Sequence, residues 1–493
     1  MKKKYKIVLL FLTALFINSN YAALNNNSAA TVIISFEEEF LSKSDLTLEV
    51  SVFSYYHVKA VDLYDEKYRR SVDKQDVTIG IPLRSDISLV KIEVFDNGES
   101  LVGLFPTRVY LVEPGDSLSF RVGDKIFLEG VDNEKNRIRE RLSSVAKSMT
   151  ANWLGYYIKQ ENIHRYYAVR NDLYNAIVER KLELLEKNRD KVSDRAYAYI
   201  KEECIYTTES KRITTLQGGV ETGAPYQGIL KKYVFQEYQN TMKERTGSSG
   251  ESYAYTNYII DLLTAGYLIQ EYVKNPSSAP TVDLNIIIDD LAKMNLEQEN
   301  GDKIIAFLFS RFATAAKGGE QAIEKALDFV RDSRIKSYLL DVKEKRYTNS
   351  DVYPFRLEDV DGNIYTPESF KGKKVVLDFW FNGCTGCALL HKELEKIEKN
   401  LNDSSVLFIS VNVDAKRDKW LQGIASGKYT SEGGINLRII DPKPNIASYY
   451  GFFSFPQLLM IDGKGSLVSY NPPRPINVSG RKEFVEMLIR MKN

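Results

Sequence analysis

Cysteine and histidine are scarce: three of each occur in 493 residues. Three cysteines cannot build a framework of paired staples. A zinc ribbon needs four ligands, usually two close pairs. Here Cys384 and Cys387 have only His391 nearby, so no metal is expected and His391 reads as a residue on a solvated helix face. His57 stands alone and reads as structural or solvated. Net charge is also lacking, at a formal +1. Long apolar runs are absent, for Ile7 to Ile17 is too short to cross a hydrocarbon layer of ~30 Å as a helix. No second candidate span follows.

What the first residues do contain is a leader pattern. Lys2, Lys3, Lys4 and Lys6 precede the apolar run, and Asn18-Ser-Asn-Tyr-Ala22 follows it. This layout predicts a signal peptide over 1–22, cut near Ala22. No cysteine stands at its end to take a lipid. Four lysines and no acid leave with it, so the charge falls from +1 to −3. Without a basic stripe, no nucleic-acid partner is expected. The mature chain is expected to be exported, with no membrane span, into a compartment that permits disulfides.

Over 23–131 the pattern is short strands with turns, which predicts an antiparallel β-sandwich. The candidates are Thr31–Phe36, Leu46–Phe53, Val77–Ile81, Leu89–Phe95, Leu101–Phe105, Val109–Val112, Ser117–Val122 and Ile126–Leu128. Over 132–345 the period is helical and an all-α domain is expected. Its helices are read as Arg139–Trp153, Tyr166–Glu186, Ser193–Ile205, Ile229–Lys243, Tyr253–Val273, Leu284–Met294, Lys303–Ala315 and Glu320–Leu340, with Thr246-Gly-Ser-Ser-Gly250 as a flexible connector. Cys204, in Glu202-Glu-Cys204-Ile, has acidic neighbours that disfavour a thiolate and reads as an inert, buried thiol. Asp341 to Pro354 is polar and serves as the linker. A third domain spans 346–493 with a strand–helix–strand–helix–hairpin–helix order, a three-layer α/β pattern.

That domain holds the stretch with the most chemistry, Val375-Val-Leu-Asp-Phe-Trp-Phe-Asn-Gly-Cys384-Thr-Gly-Cys387. A strand-like apolar run hands over to a helical period at the cysteines. Cys384 therefore falls at a helix N-terminus, where free N–H groups and the macrodipole favour a thiolate. The two-residue spacing lets Cys387 close a small disulfide ring. A close pair in an exported chain fits redox chemistry better than stapling.

Leu377-Asp-Phe-Trp-Phe-Asn-Gly-Cys-Thr-Gly-Cys387, with Tyr450-Gly-Phe-Phe-Ser-Phe-Pro456-Gln-Leu-Leu-Met-Ile-Asp-Gly463 downstream, resembles the thioredoxin fold. The insert between them and the Phe355–Gly372 lead-in resemble the TlpA/ResA-like periplasmic branch. Leu111-Val-Glu-Pro-Gly-Asp-Ser-Leu118 resembles N-terminal β domains that accompany it. The resemblance implies a periplasmic thiol–disulfide oxidoreductase with no cofactor beyond the Cys384–Cys387 disulfide. Its expected partners are protein disulfide substrates and a membrane thiol reductase that supplies electrons. Cys384 becomes the attacking thiol and Cys387 the resolving one. Asp378 matches a buried acid that takes the Cys387 proton, Trp380 packs under the site, and Pro456 matches a cis-proline that exposes the Phe455 backbone to a substrate strand. Gly383 stands where thioredoxin has Trp, and Thr385-Gly386 puts no cation between the cysteines, which argues against a strong oxidant. The alternative is a binding protein whose upstream domains recognise a ligand while the redox domain regulates.

Overall fold

In a computed structural model, the structure describes residues 29–38, 46–53, 66–73, 75–96, 99–100, 109–123, 126–130, 133–149, 163–221, 236, 252–275, 281–294, 296–312, 318–346, 351–401, 403–442, 444–452, 455–470, 472–476 and 478–491. The leader, His57, the Leu101–Phe105 strand, the Thr246–Gly250 connector and nearly all of the Ile229–Lys243 helix lie outside them. Among the described residues no helix is long and apolar enough to cross a membrane.

The chain forms two compact units. The first begins with two sheets. Strands β1 (Ala29–Phe36), β4 (Asp76–Pro82), β8 (Ser117–Val122) and β9 (Ile126–Glu129) run in the order β4-β1-β8-β9. The second sheet runs β3 (Glu66–Ser71), β2 (Leu46–Phe53), β5 (Ser88–Asp96), β6 (Glu99–Ser100), with β7 (Tyr110–Val112) also on β5. Alternate residues of both, such as Val32, Ile34, Val50, Ile92 and Phe120, bury into one apolar cluster. β1 pairs antiparallel with β4 but parallel with β8, so this sheet is mixed and not antiparallel throughout.

β3 was not foreseen because Glu-Lys-Tyr-Arg-Arg-Ser has no apolar alternation. It is an edge strand, where charged side chains are the rule. It is held across the register by Glu49, with Lys67 Nζ at 2.8 Å and Arg69 Nε at 3.6 Å. Helices α1 (Glu134–Met149), α2 (Ile163–Glu186) and α3 (Asp194–Glu221) follow. Ile138, Leu142, Leu185, Tyr199, Ile200 and Cys204 share an apolar cluster with Phe53, Leu89 and Leu111. Asn136 docks α1 on β7, accepting from Leu111 N–H at 2.8 Å and donating to its carbonyl at 2.9 Å. Burial pushes the Cys204 thiol up to about 12, Lys181 opposing. Desolvation, more than the acidic neighbours, keeps it inert.

The units divide inside α3, between Leu216 and Gln217, and again inside α4 (Tyr253–Lys274), between Ile259 and Ile260. The second unit continues with α5 (Leu284–Ala292), α6 (Gln298–Phe312), α7 (Gly319–Phe329) and α8 (Ser333–Arg346). The single helix expected over Glu320–Leu340 is thus two, and the second runs on to Arg346 into the stretch read as linker. Asp302 explains the break: its carboxylate accepts the N–H groups of Arg331 at 2.9 Å and Asp332 at 2.7 Å. Asp332 then caps α8, accepting from Arg334 N–H at 2.8 Å.

The last part is a sheet in the order β11-β10-β14-β13-β12-β15-β16. Its strands are β10 (Leu357–Glu358), β11 (Ile364–Tyr365), β12 (Lys374–Trp380), β13 (Val406–Asn412), β14 (Ile435–Ile439), β15 (Gln457–Ile461) and β16 (Leu467–Ser469). β12 is central, parallel to β13 and antiparallel to β15. All seven of its residues are buried, which is why it reads as a near-continuous apolar run. Val375, Leu377 and Phe379 enter the cluster on one face. Val376 enters the other, with Leu390, Leu394 and Ile397 of α9 (Thr385–Asn400) and Phe484 and Leu488 of α12 (Val478–Arg490). By strand alternation Asp378 and Trp380 share the Val376 face. α10 (Arg417–Ala425) and α11 (Ile446–Tyr449) complete this part.

Candidate active site

β12 delivers the chain to its cysteines through Phe381-Asn-Gly383. That short loop is tied down at each residue. Asn382 N–H donates to Asp414 Oδ2 at 2.8 Å, Gly383 N–H to the Tyr429 hydroxyl at 3.0 Å, and Cys384 N–H to Phe381 O at 3.2 Å. Gly383 has φ +100°, a conformation side chains resist. This accounts for glycine where the resemblance has tryptophan.

Cys384 and Cys387 form a disulfide, Cα atoms 5.3 Å apart. Cys384 is the N-cap of α9, and its Sγ accepts the N–H of Cys387 at 3.1 Å. Cys384 is 5% exposed and Cys387 1%, so the leading sulfur is the more accessible. Between them, Gly386 faces Pro456: a Cβ there would stand 3.2 Å from Pro456 Cδ. The Phe455–Pro456 bond is cis. Trp380 stacks on Tyr429 at 4.6 Å between ring centroids. These rings, Trp420 and both cysteines form one cluster, with Phe455 packed against it. Phe455 also meets the exposed Phe381 edge to face at 6.0 Å.

Asp378 is 4% exposed, and neither carboxyl oxygen has a hydrogen-bond partner among the described residues. Burial pushes its pKa up to about 8, against the opposing charge of Arg474. Arg474 in turn donates from Nη2 to the Pro456 carbonyl at 2.8 Å. Burial lowers the Arg474 pKa from its ordinary value, and Asp378 opposes this.

His391 is not on a solvated face. Its side chain is 12% exposed, and Nδ1 lies 3.9 Å from Asp378 Oδ2. The expectation failed because His391 was read against the charged residues of α9, whereas it follows the buried Cys387 by four residues, on the same helix face. That spacing was available in the sequence. Arg474 and Tyr429 carried no such signal. One sits among prolines in Pro472-Pro-Arg-Pro475, the other in the aperiodic Ser426–Gly434 stretch.

Residues 347–483 match the model of the Redoxin family. The Thioredoxin-like protein YneN of Bacillus subtilis is 27% identical over 112 residues, which span 22% of this chain and 63% of that relative. Among solved structures, a putative thiol-disulfide oxidoreductase from Bacteroides vulgatus is 20% identical, covering 29% of this chain and 98% of its own, with a TM-score of 0.26. A putative thiol:disulfide interchange protein DsbE from Chlorobium tepidum is also 20% identical, covering 28% and 96%, with a TM-score of 0.24. The chain carries a Redoxin domain at its C-terminus, thioredoxin-like in fold.

Proposed function

We propose that the chain is an exported, periplasmic thiol–disulfide oxidoreductase of the TlpA/ResA-like kind. It exchanges disulfides with protein substrates through Cys384 and Cys387, as a reductase or isomerase and not as an oxidase. The observation that carries this reading is Cys384 at the N-cap of α9, with its sulfur on the Cys387 N–H. In the reduced pair, that hydrogen bond and the helix terminus favour a Cys384 thiolate. Cys384 attacks a substrate disulfide; Cys387, its proton taken by Asp378, attacks the mixed disulfide and releases the reduced product. Phe455 and Pro456 are read as the edge that meets the substrate chain, and Trp380 as the packing beneath. The oxidised pair is recharged by a membrane thiol reductase, with no other cofactor.

We read 1–22 as the leader, 23–131 as a β-sandwich and 132–345 as a helical domain, the two together selecting the substrate for 346–493. Cys387→Ala tests the exchange. The variant is expected to accumulate mixed disulfides through Cys384, seen as high-mass bands on a non-reducing gel that vanish with dithiothreitol. A folded variant giving a clean gel would sink the reading.

A further inference from the structure

Asp378, if it is to accept a proton from Cys387, must first lose its own. Burial holds that proton on it at neutral pH. The α9 side of Asp378 differs from the rest of its surroundings. There a small cavity, with space for about one water, is lined by Asp378, His391, Glu395, Glu398, Ser410 and Ser431 among others. His391 Nδ1 stands 3.9 Å from Asp378 Oδ2 in this cavity, and its Nε2 lies 3.3 Å from the Ser431 hydroxyl. Glu395, one turn on, is a third exposed and paired with Lys399 at 2.9 Å.

We infer that His391 is a proton-relay residue for Asp378, carrying its proton through this cavity to Glu395 and solvent. The inference rests on the exchange reading above. His391 acts through Asp378 and is a positioning residue, not a catalytic one. When Nε2 carries the proton and donates to the Ser431 hydroxyl, Nδ1 is left as an acceptor toward Asp378. At 3.9 Å the transfer runs through a water, for which the cavity has room.

The step balances as follows. The Asp378 proton passes to His391 Nδ1 and on to solvent. The carboxylate then takes the Sγ–H proton of Cys387. The Cys387 thiolate attacks Cys384 Sγ; the Cys384–Cys387 bond forms, the Cys384–substrate bond breaks, and the electron pair leaves on the substrate thiolate. The pair is oxidised by two electrons and the substrate disulfide is reduced by two.

The charged and titratable groups around Asp378 make His391 a transient carrier of the proton and not its resting place. Burial lowers the pKa of His391, so its ring is neutral and can accept, while Glu395 and a hydrogen bond to the Thr430 backbone oppose that shift. Lys399 holds Glu395 below the usual carboxylate range, an anion at the outer end. Burial, then Glu395, raises Glu398. Arg474 favours the Asp378 carboxylate once formed.

The test uses the full chain, reduced, with limiting 5,5′-dithiobis(2-nitrobenzoate) in a stopped-flow instrument. The first thionitrobenzoate reports attack by Cys384, the second reports resolution by Cys387. His391→Gln is expected to leave the first release unchanged and slow the second by about 10²-fold. In an Asp378→Asn background it should slow nothing further. A second release at the unmodified rate, or equal slowing in both backgrounds, overturns the relay. A unmodified chain with no first release overturns the exchange reading and the relay with it. A measurement without substitution at 391 guards against misfolding: one of the three histidine rings should show, by NMR, an inflection that follows Asp378 and is lost in Asp378→Asn. Three rings indifferent to Asp378 would also overturn the relay.

Discussion

At the scale of single residues, the proposed exchange turns on a carboxyl buried at the centre of the sheet. Asp378 gains no hydrogen bond in return for its burial among the described residues, so the neutral acid is the folded form. With a folded pKa of about 8 against an ordinary 3.8, the folded chain keeps a proton that the unfolded chain releases as pH rises past 3.8. Folded stability from this group is therefore full in acid and is lost as pH climbs toward 8. Asp378→Asn should flatten that decline. Between pH 5 and 8 the variant is expected to gain on the parent by up to about 1.4 kcal/mol per pH unit. Urea unfolding followed by the emission of Trp380 and Trp420 would measure it; parallel pH curves would contradict it. The burial of Asp378 and Trp380 and the cis bond at Pro456 were legible because these residues stand in a motif that orders them along the chain. His391 was read as solvated and Arg474 was not singled out, because what matters about them is which buried group they approach. A helix and a proline-rich segment bring them to Asp378 from places 13 and 96 residues away in the chain.

At the scale of elements, periodicity served wherever one face is apolar and failed where polar contacts decide. β2 and β8 begin and end where the alternation of Leu46–Phe53 and Ser117–Val122 does. β3 escaped because an edge strand need not alternate. α7 and α8 were merged because Val330-Arg-Asp332 does not interrupt the apolar period strongly, and the break is made by carboxylates. Asp302 takes two backbone N–H groups that no helix would satisfy. Asp302→Ala leaves both without that acceptor and should cost about 1–3 kcal/mol, visible as a lower urea midpoint by far-ultraviolet circular dichroism. An unchanged midpoint would mean that the break is held by packing alone. The same logic governs the active loop, where Asp414 and Tyr429 fix Asn382 and Gly383, and neither anchor is foretold by the strand that precedes them.

At the scale of the whole molecule, the residues that match the Redoxin family, 347–483, are under a third of the chain. The strands and helices of the first unit carry apolar clusters of their own, and nothing in their composition suggests redox work, since Cys204 is buried and held protonated. The proposed chemistry is concentrated in one pair at one helix terminus and stands or falls on whether that pair exchanges. The direct measurement is the equilibrium of Cys384 and Cys387 in thiol–disulfide buffers of graded potential, with the full chain. We expect ready exchange and a midpoint nearer thioredoxin's roughly −270 mV than the roughly −120 mV of a strong oxidant. A pair that stays oxidised across the whole range without exchanging, or one poised near the oxidant's value, would contradict it.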